Sequence, residues 1–279
     1  MSGIEAAELS LKNGDPAAAL AQLQEQIKAQ PANAKLRIFL FQLLCVLGQW
    51  ERALNQLKVA SGLDASALAM AQMYGEAVRC EAIRTDVFAG RKSPMIFGEP
   101  EQWLALLIES LLVAGRGDAA RSEELRLRAF EEADASPGDV NGQPFEWIAD
   151  ADTRLGPVLE AVINGRYYWV PFSRLSSVTI DKPEDLRDMV WMPAQLQFEN
   201  GGEQVALIPT RYPGSERSDD GLIVLARKTE WEEVSPGTHH GLGQRLLATD
   251  AGDVPLMEVR TLVIRSAAAE AAGAGADHG

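Results

Sequence analysis

Phe145-Glu146-Trp147-Ile148-Ala149-Asp150-Ala151-Asp152-Thr153-Arg154-Leu155-Gly156-Pro157 divides this chain into two unlike halves. Before it lie about 135 residues rich in Ala, Leu, Gln and Glu. From it onward come Trp147, Tyr167, Tyr168, Trp169, Trp191, Tyr212 and Trp231, set among Pro, Gly and short apolar runs. The first half reads as a helical array over residues 1–135, and the second as a compact β-containing domain over 143–265. No constellation of catalytic residues bridges them, which points to a protein that binds proteins rather than an enzyme.

The repeat comes next. Gly14-Asp15-Pro16-Ala17-Ala18-Ala19-Leu20 is echoed by Gly48-Gln49-Trp50-Glu51-Arg52-Ala53-Leu54, an offset of 34 residues. That is the tetratricopeptide period, in which each unit is a pair of antiparallel helices. The glycine suits a turn needing positive φ, Ala19 or Ala53 lets two helices approach, and Asp15-Pro16 reads as an N-cap and first helical residue. A degenerate third unit runs from Trp103 to Ala114, turns at Gly115–Asp118 and continues through Glu132. Between the units Asp64 to Arg84 reads as a longer helix, and Phe88 to Pro100 as an irregular loop. Stacked helical pairs form a concave groove that holds a peptide or helix; the alternative is a scaffold with its binding surface elsewhere. Phe39-Leu40-Phe41-Gln42-Leu43-Leu44 reads as core.

In the second half, Glu131 to Gly142 reads as a linker and Leu155 to Asn164 as a helix with Pro157 in its first turn. Strands are predicted at Arg166–Phe172, Ser177–Ile180, Met189–Phe198, Val205–Ile208, Leu222–Ala226, Arg245–Ala248 and Glu258–Ile264, with a hairpin turn at Asn200-Gly201-Gly202. The expected fold class is α+β: tetratricopeptide-like repeats, then a largely antiparallel sheet with few helices. Residues 266–279, mostly Ala and Gly, read as a disordered tail.

Composition narrows the function. A net charge of −14 and pI near 4.7 argue against a nucleic-acid partner, whose phosphate backbone calls for a concentrated basic face. The two cysteines, Cys45 and Cys80, fall in predicted helices and read as buried, reduced thiols. The longest apolar stretch, Leu104 to Val113, is interrupted by Glu109 and too short to span a bilayer, and the N-terminus lacks the regions of a signal peptide. A cytoplasmic, soluble protein without membrane contact is expected.

Asp150-Ala151-Asp152-Thr153 carries the Asp-x-Asp nucleophile and acid pair of haloacid-dehalogenase-type phosphatases, where Mg²⁺ neutralises the phosphoryl charge. That fold needs a doubly wound parallel sheet, whereas strands here mostly follow one another. The competing reading has both carboxylates cap the helix beginning near Leu155 and pair with Arg154 or Arg166. His239-His240 reads as a loop, and Gly241-x-Gly243 carries no nucleotide signature. No metal or cofactor is expected. Trp147, Tyr167, Trp169, Trp191 and Trp231 read mostly as core. Strand alternation, however, puts Tyr167 and Trp169 on one face and Tyr168 on the other. Either Tyr168 or the Tyr167/Trp169 pair is therefore expected to be an exposed contact.

Taken together, Gly48-x-Trp50-Glu51-Arg52-Ala53-Leu54, Gly98-Glu99-Pro100-x-x-Trp103, Phe145 to Asp150 and Arg154-Leu155-Gly156-Pro157 resemble the ImpE/SciE-type (TagJ) family. So do Gly165 to Phe172, Ile208-Pro209-Thr210-Arg211-Tyr212 and Lys228-Thr229-Glu230-Trp231. The resemblance runs from about Ala6 to Arg265 and implies a non-enzymatic accessory protein of bacterial type VI secretion. It implies binding to the small subunit of the contractile sheath, through a helical segment near that subunit's N-terminus. It further implies an indirect link to the AAA+ ring ATPase that disassembles sheaths. Aromatic and charged content makes Trp50, Trp147, Asp150, Asp152, Arg154, Tyr167, Tyr168, Trp169, Arg211, Tyr212 and Trp231 the candidate partner contacts. A generic scaffold for another protein, or a metal-dependent phosphatase at Asp150 and Asp152, are the competing readings.

Overall fold

The computed structural model describes residues 3–235 and 237–265; the predicted tail, 266–279, lies outside the described residues. The chain opens with α1 (Gly3–Lys12), α2 (Pro16–Ala29), α3 (Ala34–Val46), α4 (Trp50–Leu63) and α5 (Leu68–Phe88). The Asp15 carboxylate accepts from the Ala18 amide at 2.8 Å with Pro16 in the first turn, and Asn33 caps α3 in the same way. Gly14 and Gly48 hold φ of +78° and +64° at the two repeat turns, and Ala19 and Ala53 are fully buried between helices. The 34-residue echo is therefore a structural repeat.

Then follow β1 (Met95–Ile96), α6 (Gln102–Ala114), α7 (Ala119–Glu132), β2 (Gly138–Val140), β3 (Gln143–Phe145), β4 (Ile148–Asp150), β5 (Val158–Ile163), β6 (Arg166–Pro171) and β7 (Leu175–Ile180). The remainder comprises β8 (Trp191–Phe198), β9 (Glu203–Pro209), α8 (Gly221–Val224), β10 (Thr229–Ser235), β11 (Thr238–Gly243), β12 (Leu246–Thr249), β13 (Val254–Pro255) and β14 (Thr261–Ile264). A nine-stranded sheet runs β1-β6-β5-β9-β8-β7-β14-β2-β3, antiparallel except for β1 against β6. Two small sheets, β10-β11 and β13-β12-β4, flank it.

Both faces of the large sheet are covered. Val158, Val162, Tyr167, Trp169, Trp191 and Leu207 share one core with Leu23, Phe41, Leu44, Val78 and Leu104 of the helices. Leu159, Ala161, Ile163, Val170, Met192 and Ile208 share a second with Leu247, Leu256 and Leu262. Alternation along β5 and β6 divides neighbouring residues between these cores.

That double covering explains the departures from expectation. Leu155–Asn164 is not a helix: Val158–Ile163 forms β5, every residue of it buried. A strand covered on both sides shows an unbroken apolar run instead of alternation, and such a run mimics a buried helix. Leu222–Ala226 is not a strand; the Asp220 carboxylate caps Leu222 at 2.8 Å and starts the short α8. The predicted linker contains β2, the predicted loop at 88–100 contains β1, and His239-His240 lies in β11 rather than a loop.

Candidate functional site

The seam between α5 and the large sheet is built on Glu160, the one charge in the run Val158-Leu159-Glu160-Ala161-Val162-Ile163. Its position in β5 turns it toward the helices, and it is wholly buried. Arg84 of α5 reaches across and donates Nε to Oε1 at 2.7 Å and Nη2 to Oε2 at 3.1 Å. The Tyr167 hydroxyl donates to Oε1 at 2.6 Å and accepts from Trp169 Nε1 at 2.8 Å. Arg245, fully buried, bridges Glu160 through Nη2 and Asp150 through Nη1. Trp191 Nε1 donates to Glu81 at 2.8 Å. Arg211 donates to the carbonyls of Cys45, Val46 and Val224, the C-terminal ends of α3 and α8, where a cation is favoured.

Arg84 and Arg245 therefore pair with the buried carboxylates of Glu81, Asp150 and Glu160, while buried Arg211 directs its donors to carbonyls, and buried charge is tolerated only when it is paired or hydrogen-bonded in such ways. Burial raises a carboxyl, but the guanidiniums of Arg84 and Arg245 outweigh it and hold Glu160 at about 2. At Asp150 burial prevails over Arg245, and the carboxyl is pushed up to about 6.

Asp150 and Asp152 make two successive Asx turns. Asp150 Oδ1 accepts from the Asp152 amide and Asp152 Oδ1 from the Arg154 amide, both at 2.9 Å. Asp152 is also clamped by the Arg154 guanidinium and by the Gly241 amide at 2.8 Å. The expected pairing with Arg154 is present; the expected helix cap is not, because no helix follows. With Asp150 tied to Arg245 and both carboxylates buried, neither is offered to a phosphoryl substrate. Among the described residues, no group of three His, Cys, Asp or Glu side chains is spaced to hold a metal ion.

The other candidates divide by exposure. Tyr167, Trp169, Arg211 and Tyr212 are buried, so the expectation of a Tyr167/Trp169 surface pair is corrected. That expectation assumed one core; with two, both strand faces are interior. Tyr168 is half-buried, its ring 5.7 Å from Phe97 at the edge of the second core. Trp50 is half-buried against Trp191, with ring centroids 5.9 Å apart. Trp147 and Trp231 are 41% and 40% exposed; Trp147 lines an apolar cleft of about 370 Å³ with Phe130, Ala133 and Pro157.

A larger groove of about 620 Å³ runs between α1 and α3. Ile4, Glu8, Leu11 and Lys12 face Lys35, Leu36, Phe39 and Gln42, and the 183–189 segment closes one side with Leu186 and Met189. The Asp188 carboxylate holds that segment by accepting from the amides of Glu184 and Asp185 at 2.6 and 3.0 Å. Arg227 closes the end, donating to the Leu11 carbonyl at 2.8 Å. Sequence reasoning missed this groove's lining and treated the Phe39 run as core; the run splits, with Leu40 and Phe41 buried and Phe39 facing the groove. It also missed Arg84, Glu160 and Arg245. A lone Glu inside an apolar run was the available signal. No helix among the described residues is long and apolar enough to cross a membrane.

Comparison with known proteins adds to this geometry. The ImpE protein family model matches residues 142–263, and a tetratricopeptide repeat model matches residues 10–74. The type VI secretion system accessory component TagJ of Pseudomonas aeruginosa is 52% identical over 256 residues, covering 92% of this chain and 90% of that protein. The X-ray structure of protein VPA1032 from Vibrio parahaemolyticus superposes with a TM-score of 0.84 at 27% identity, covering 93% of this chain and 97% of that one.

Proposed function

This chain belongs to the ImpE family that includes the type VI secretion accessory component TagJ, and we propose that it serves type VI secretion as a non-catalytic adaptor. In this reading it seats an amphipathic helix from the small sheath subunit in the groove between α1 and α3. It thereby links the sheath to the ring ATPase that disassembles it. The observation that carries the reading is the groove itself. Leu11, Leu36, Phe39 and Met189 supply an apolar floor between polar rims of Glu8, Lys12, Lys35 and Glu184. A helix laid there would bury residues at i, i+3, i+4 and i+7 and keep its polar face wet. The repeat architecture supports protein binding.

Calorimetric titration with the small sheath subunit from the same secretion cluster tests it. Saturable binding at micromolar Kd or tighter, about −8 kcal/mol or better, is expected. Ile4→Glu, at a position 38% exposed and so harmless to the fold, should weaken binding at least tenfold. Absence of heat would overturn the partner and favour a scaffold for a different protein. Binding that survives Ile4→Glu and Phe39→Ala but fails with Trp147→Ala would overturn the groove as the site.

A further inference from the structure

A second cleft, of about 360 Å³, opens where the start of α4, the C-terminal part of α5 and the 213–217 loop meet. Arginines crowd it: Arg84, Arg91, Arg154 and Arg217 line it together with Glu81 and Glu216.

Three of these guanidiniums are held in the same way. Arg84 binds Glu160, Arg91 binds Asp86 and Arg154 binds Asp152, each through Nε and Nη2. Each pair fixes its arginine and leaves Nη1 over. Arg84 Nη1 has only a 3.5 Å contact with Glu81, and Nη1 of Arg91 and of Arg154 has no hydrogen-bond partner among the described residues. The Phe88 ring braces two of them, with the Arg84 and Arg154 guanidinium carbons 5.6 and 4.9 Å from its centroid. Arg217 is largely exposed and only 3.9 Å from Glu216. Of the two carboxylates, Glu81 accepts from Trp191, and Glu216 packs its aliphatic carbons on Gly48.

We propose that this cleft binds a small phosphorylated molecule, with the Nη1 groups of Arg84, Arg91 and Arg154 and the Arg217 side chain donating to its phosphate oxygens. Donors arriving from α5, from the turn after it and from two loops suit an acceptor with oxygens on several sides, which a planar carboxylate lacks. The cleft also exceeds a single phosphate ion and falls in the range of small-molecule sites. The site is independent of the groove between α1 and α3.

The test is calorimetry and thermal unfolding of the full chain with inorganic phosphate and with pyrophosphate, against chloride at matched ionic strength. Saturable heat and a rise in Tm beyond the chloride control are expected, with pyrophosphate the tighter of the two. Arg217→Ala and Arg91→Ala together should weaken binding at least tenfold while the far-UV circular dichroism stays unchanged. A Tm response no larger than chloride's, or binding indifferent to both substitutions, would overturn the proposal.

Discussion

Replacing Glu160 with Gln keeps the shape of the β5 side chain and removes the charge on which the seam is built. Four donors converge on that carboxylate: Arg84 Nε and Nη2, Arg245 Nη2 and the Tyr167 hydroxyl. Neutralising it leaves Arg84 with only Glu81 and Arg245 with only Asp150 as carboxylate partners, and points an amide NH₂ at a donor. Breaking a buried ion pair from one side costs about 3–5 kcal/mol. A second route gives a similar figure: holding the carboxyl at about 2 instead of 4.5 stabilises the ionised fold by roughly 3 kcal/mol. Against a total stability of about 5–15 kcal/mol that is a large share. Urea unfolding followed by tryptophan fluorescence, with Trp169 and Trp191 beside the seam, and by far-UV circular dichroism measures it. The two probes should report one coincident transition, because one core spans the helices and the sheet. Since the folded value lies below the unfolded one, the unfolded chain binds more protons between them. The native protein should keep this stability above pH 4.5 and lose it as pH falls toward 2, and Glu160→Gln should lack that loss. A loss under about 1 kcal/mol on substitution would refute the role given to the charge, as it is no more than an exposed pair contributes.

Between pH 6.5 and 4 two further groups oppose each other. Asp150, held at about 6 against an ordinary 3.8, makes the fold more stable as pH falls through that window; His240, held at about 4 by burial and by Arg154, makes it less stable below its ordinary 6.5. The native profile should be nearly flat there, while His240→Gln should gain stability from pH 6 to 4.5 in the same urea assay; a decline would contradict the Asp150 assignment. Gly156→Ala combines a φ of +56° with a Cβ placed 2.4 Å from the Phe130 ring, and should cost about 2–4 kcal/mol of unfolding free energy; a neutral result would mean the ring moves freely. Cys45 and Cys80 are at most 2% exposed, with thiols pushed up by burial. A disulfide-exchange reagent should label neither in the native chain and both in urea, and rapid native labelling would disprove the packing of α3 and α5.

Local signals announced what is local. The Gly14/Gly48 echo, the Asp15-Pro16 cap and the Asn200-Gly201-Gly202 turn specify their own backbone, and the corresponding helices and the β8–β9 hairpin are present. The third helical pair was equally legible, since Gly115–Asp118 separates two apolar-periodic runs. What escaped depends on distant partners. Whether Val158–Ile163 is a helix or a strand is decided by β6 and β9 pairing on its two edges, and by a core on each face. Arg84 and Glu160 stand 76 positions apart, and Arg245 and Asp150 stand 95 apart, so no local pattern joins them. Asp150 and Asp152 drew attention as a motif for chemistry, yet the side chain that answers Asp150 comes from the segment just before β12.

A repeat array normally needs a polar unit to close each end. Here one face of the nine-stranded sheet does that work for α5, and α8 clasps the first turn, with Gly221 so close to the Gly14 carbonyl that a Cβ there would lie 1.8 Å from it. The array is therefore of fixed length at its C-terminal side. Duplicating a helical pair between α4 and α5 would pull Trp50 from Trp191 and tear the seam. Growth remains possible ahead of α1, where Ile4 and Leu9 are still 38% and 45% exposed. Lineages of this fold should vary in repeat number at the front of the chain and hold it constant behind.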